Sequence, residues 1–168
     1  MRKITATLVM AFGLAAAGSA QAAPVAEDAK AETPMVTAKS PDSIVKALQD
    51  AGYRAQLSKD STGDPLIKSA SSGSNFSITF YGCTDGADCS SVQFYAGWTE
   101  ATHCSLETMN TFAQKYRFVT PLVDDDKDCV IQYDLNLDEG GMSQALFLDT
   151  LEFWTDTMST FKDYIYQE

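Results

Sequence analysis

The stretch NFSITFYGCTDGADCSSVQFYAGW, residues 75–98, decides the fold. Phe76, Ile78 and Phe80 alternate with Ser77, Thr79 and Tyr81, and Val92, Phe94, Ala96 and Trp98 alternate with Gln93, Tyr95 and Gly97. A period of two belongs to strands buried on one face. Such alternation is expected of an antiparallel sheet with one face on a core and the other wet or covered by a partner.

Upstream, Ser61-Thr62-Gly63-Asp64-Pro65 and Ser71-Ser72-Gly73-Ser74 read as turns around a short strand at Leu66 and Ile67. Before them, Ser40, Pro41 and Asp42 suit a helix start, Ile44, Ala47, Leu48 and Ala51 form one apolar stripe, and Gly52 ends the helix. Downstream, a second helix is expected from about Cys104 to Tyr116, burying Leu106, Met109, Ala113 and Tyr116. A hairpin follows, with arms Phe118 to Val123 and Cys129 to Leu137 about an Asp124 to Asp128 turn. Last comes a helical seam from about Met142 to Tyr166: Phe147, Leu151, Trp154, Met158, Phe161 and Ile165. The class is α+β: an antiparallel sheet with an N-terminal helix, a central helix and a long C-terminal helix packed on one face.

The chain has 168 residues, 45% of them apolar, and 12 Lys and Arg against 23 Asp and Glu, for a net charge of −11. That composition gives one domain with a core, and no basic surface for nucleic acid. Residues 1–22 carry Arg2 and Lys3, an apolar run and a Ser19-Ala20-Gln21-Ala22 end, the pattern of a secretory signal peptide. Its removal leaves 10 basic against 23 acidic residues, a charge of −13, and no stretch long enough to insert in a membrane. An export signal ending in Ala-Gln-Ala suggests a bacterial periplasm or medium. Residues 23–39 read as a flexible acidic tether, and residues 40–168 as a single domain.

Four cysteines in an exported chain favour disulfides. Cys83 and Cys89 face each other across a hairpin tip, which leaves Cys104 and Cys129 as a second pair among three connectivities. A zinc site lacks both a C-x-x-C pair and clustered His. His103 beside Cys104 offers a thiol nucleophile, against the plainer reading of a bridged Cys at a helix start. Asp124, Asp126 and Asp128 have the spacing that opens a calcium loop, but Cys129 and Leu135 stand where Gly and Glu belong, so a solvated turn is the better reading. No catalytic set, metal site or cofactor motif emerges. On the sheet face opposite the core, Tyr81, Gln93, Tyr95 and Gln132 form a candidate partner surface.

From Ser40 to Glu168 the chain resembles the YbjN-domain proteins, a family of bacterial sensory transduction regulators. The resemblance rests on Gly52-Tyr53, NFSITFYGC, Cys89 with SVQF, Asn110 and Phe112, Arg117-Phe118, Asp134, Gly140-Gly141 and Trp154. The pattern associated with the second helix is N-x-W-N; Asn110 and Phe112 match it, and Ala113 stands at its last position. The resemblance implies a fold like type III secretion chaperones, one that often forms homodimers, and a non-enzymatic role through a protein partner, without cofactor. The alternatives are a small thiol-dependent enzyme and a cation-binding protein.

Overall fold

The computed structural model describes residues 33–167. Strand β1 (Met35–Val36) leads to helix α1 (Pro41–Asp50) and strands β2 (Gln56–Lys59), β3 (Pro65–Ser71), β4 (Ser74–Tyr81) and β5 (Ser91–Trp98). Helix α2 (Leu106–Lys115), strands β6 (Thr120–Val123), β7 (Cys129–Asn136) and β8 (Met142–Ser143), and helix α3 (Gln144–Tyr166) complete the order. Six strands form one antiparallel sheet in the order β2-β3-β4-β5-β7-β6, while β1 pairs with β8. No helix among the described residues is long and apolar enough to cross a membrane.

The period-two residues line the core as their spacing requires. Phe76, Ile78, Phe80, Val92, Phe94 and Ala96 are all buried, and α3 lays Phe147, Leu151, Trp154, Met158, Phe161 and Ile165 against them. Full burial of each such side chain is worth about 1.5–3 kcal/mol. Phe94 sits at the centre, with ring centroids of Trp154 at 5.6 Å, Phe147 at 6.1 Å and Phe76 at 6.2 Å. Helix α1 buries Ile44, Ala47 and Leu48 in the same core. It ends as its Gly52 requires: Tyr53 N donates to Leu48 O and Gly52 N to Gln49 O, each at 2.9 Å, with Gly52 at φ +85°.

Several boundaries differ from the sequence reading. The tether expected over residues 23–39 ends early, because Val36 and Ala38 are buried and Pro34 O accepts from Gln144 N at 2.8 Å. The signal segment 1–22 and residues 23–32 of the tether lie outside the described residues. Pro65 opens β3 instead of closing a turn, and β2 is a further strand. Ser40 stands at the α1 N-cap but makes no capping bond; the Ser43 hydroxyl occupies its carbonyl instead, at 2.6 Å.

Helix α2 starts at Leu106, after Cys104, and turns a different face inward than expected. Leu106 is 78% exposed and Ala113 is exposed, whereas Met109 and Phe112 are buried. The bond from Thr108 N to Ser105 Oγ caps the helix start, and Phe112 anchors the buried face, meeting Phe161 edge-on at 4.9 Å and stacking on Tyr116 at 4.1 Å. Helix α3 starts two residues later than expected, behind Ser143, whose hydroxyl accepts from Leu146 N.

Candidate functional site

The four cysteines are joined in two pairs. Cys83 with Cys89 closes the β4–β5 hairpin tip, and Cys104 with Cys129 ties the approach to α2 to the start of β7, with Cα atoms 5.5 Å apart. Cys104 therefore carries no thiolate to act as a nucleophile. His103 is held elsewhere: its Nε2 lies 2.7 Å from Gln167 O and its backbone N donates to Ile165 O. The thiol-enzyme alternative loses its nucleophile.

The acidic turn is a backbone device. Asp124 Oδ1 accepts from Asp126 N at 3.1 Å and Asp128 N at 2.8 Å, with Lys127 at φ +71°. Asp60 organises the β2–β3 turn in the same way, accepting from Thr62 N at 2.9 Å and Asp64 N at 3.0 Å, with Gly63 at φ +94°. The shared geometry makes a hairpin turn sufficient to explain the carboxylates. Their titration differs, however. The Thr62 hydroxyl and neighbouring amides hold Asp60 below the usual carboxyl value, whereas desolvation, then Asp124 and Asp126, push Asp128 above it. Among the described residues no group of three or more His, Cys, Asp or Glu is arranged to hold a metal ion.

Opposite the core, strand register builds an open face. One row runs Gln56, Lys68, Ser77, Tyr95, Gln132 and Thr120 across all six strands. A second joins Tyr81 Oη to Gln93 Oε1 at 3.3 Å and Gln93 Nε2 to Asp134 Oδ1 at 2.9 Å. Tyr81 is 46% exposed, while Gln93, Tyr95 and Gln132 are half-buried. Tyr95 lies along the sheet: a Cβ placed on Gly97 would meet Tyr95 Oη at 3.3 Å and Val130 Cγ2 at 3.4 Å. Burial, reinforced by Asp124, Asp128 and Asp126, holds its phenol above 10.0.

The remaining candidate residues divide between core and surface. Phe112 and Trp154 are fully buried. Asn110 is exposed on α2, and Arg117 lies over the ring of Phe118, 4.8 Å from its centroid, with Phe118 itself 59% exposed. Gly140 and Gly141 adopt φ +90° and +82°, and a side chain at Gly141 would run into Val36 O. That close approach lets β1 cross beside β8.

Sequence reasoning missed a recess of about 400 Å³ on the open face, lined by Arg54, Gln56, Lys68, Asn75, Ser77, Tyr95 and Gly97 among others. Its one sequence signal was Gly97, a glycine inside a strand pattern.

The family model YbjN, described as putative bacterial sensory transduction regulator, matches residues 40–167. A search of the curated proteins finds no match.

Proposed function

Since the chain belongs to the YbjN family, a regulator domain rather than a known enzyme family, we propose that it is an exported regulatory module acting by protein contact, chaperone-like in architecture. The open sheet face carries this reading. Tyr81, Gln93 and Asp134 form a hydrogen-bonded row there, beside Tyr95 and Gln132, and α1, α2 and α3 all contribute to the core on the other side. Tyr suits such a surface because it offers apolar area at low entropic cost with a polar tip.

Export to the periplasm is supported by the signal-peptide pattern of residues 1–22 and by two disulfides, which persist in oxidising compartments. A protein partner meeting the open face would cover Tyr95. Tyr95→Ala should then weaken the complex by about 2 kcal/mol, read by titration calorimetry. Binding that is unchanged in this variant would overturn the surface assignment.

A further inference from the structure

We propose that the recess between Arg54, Lys68 and Tyr95 binds a small zwitterion, an amino acid or short peptide bearing a carboxylate and an ammonium group. It shares Tyr95 with the proposed contact face but does not need a protein partner, since its ligand-binding charges, Arg54 and Lys68, lie outside the Tyr81–Gln93–Asp134 row. Gly97, with no side chain, lets Tyr95 lie down over it along the strand, and the flattened ring forms one wall of the recess. About 400 Å³ falls in the lower part of the range occupied by small-molecule sites.

Charge defines the ligand class. Both charged residues in the lining, Arg54 and Lys68, are cations, in a chain of net charge −11, and among the described residues no carboxylate lines the recess. The ion pair found among the described residues, Lys46 with Asp50, involves neither of them. Arg54 Nη2 donates to Asn75 Oδ1 across 3.4 Å, a long bond to a neutral acceptor that a carboxylate outcompetes, because guanidinium binds an anionic oxygen at shorter range and more strongly.

Beyond the Tyr95 end of the recess the sign of the charge reverses. Gly97 pairs with Val130 and Trp98 with Cys129, so the β6–β7 turn, with Asp124, Asp126 and Asp128, lies just past the Tyr95 phenol. Its field reaches the phenol and adds to the burial that raises it. A purely anionic ligand is repelled there; an ammonium group is attracted by the carboxylates and by the face of the Tyr95 ring. A ligand with both charges meets complementary groups at both ends.

Titration of the 15N-labelled full chain with L-phenylalanine, and separately with its two half-charged analogues, 3-phenylpropanoate and phenethylamine, tests this by amide shifts. Phenylalanine should give saturable shifts at Lys68, Ser77, Tyr95 and Gly97, and bind at least about tenfold tighter than either analogue. Lys68→Met should weaken it by about tenfold, the effect of one charge-assisted bond. Gly97→Val, whose side chain meets Tyr95 and Val130 and displaces the Tyr95 wall without touching a charge, should abolish it. Absence of saturable shifts, equal binding by 3-phenylpropanoate, or unaltered binding in Gly97→Val would each overturn the proposal. Any of these would leave the Tyr81–Gln93–Asp134 surface untouched.

Discussion

Removing the two disulfides separately should cost unequal amounts, in an order set by the chain each one closes. Cys104 and Cys129 are 25 residues apart, and Cys83 and Cys89 only 6. In the chain-entropy account, closing the longer loop restrains the unfolded state by about 3.5 kcal/mol and the shorter one by about 2.2 kcal/mol. Packing losses are matched, because each bridge joins one fully buried residue, Cys129 or Cys89, to one half-buried residue, Cys104 or Cys83. Replacing each pair by alanines therefore isolates loop length. Urea unfolding followed by tryptophan fluorescence reads both costs. The Cys104→Ala/Cys129→Ala protein should be less stable than Cys83→Ala/Cys89→Ala by about 1.3 kcal/mol. Equal costs, or a larger cost for the hairpin-tip pair, would refute the reasoning.

Trp154 is fully buried and its Nε1 has no partner among the described residues; Trp154→Ala should cost about 3–5 kcal/mol. Trp154→Phe, which removes the same orphaned donor but leaves a much smaller cavity, should cost about 2 kcal/mol less, measured by the same unfolding. Gly141→Ala should destabilise by more than about 1 kcal/mol, since it forces a β-carbon against Val36 O at positive φ. The two hairpin aspartates should respond to pH with opposite signs. Asp60, held below its ordinary value, stabilises the fold above the unfolded carboxyl range and loses that contribution as pH falls through its folded value. Asp128, held above its ordinary value, binds its proton more tightly when folded, so its ionisation costs stability as pH rises through its folded value. Thermal melts at pH 7 should accordingly show Asp60→Asn below the parent protein and Asp128→Asn above it. Both differences should vanish at pH below the carboxyl range.

What the sequence revealed depended on whether a residue's partner is set locally. The α3 seam and the β4 and β5 alternation were legible because one packed face dictates the spacing, and the structure buries the α3 seam and all but one of the strand residues read as inward, Trp98 being half-buried. Helix α2 is legible in place but not in rotation: Leu106 fits an apolar spacing, yet the packing of Met109 and Phe112 into the core leaves it in water. Strand β1 reads as tether because Val36 and Ala38 are isolated apolar residues in the sequence; β1 pairs with β8, far along the chain, and both residues pack into the core. Tyr81, Gln93, Tyr95 and Gln132 were assigned to one face from alternation alone, and the register sets them there. The recess was not legible, since Arg54, Lys68, Asn75 and Gly97 come from four segments that only the sheet brings together.

The claim that the open sheet face is where a partner docks is tested most directly by photocrosslinking in the source cells. Benzoylphenylalanine would be placed at Tyr81 or Gln132 on that face, and at Glu152 on the exposed side of α3. A discrete protein adduct from Tyr81 and Gln132, and none from Glu152, is the predicted result. Adducts from Glu152 alone, or none from the two sheet positions, would contradict it.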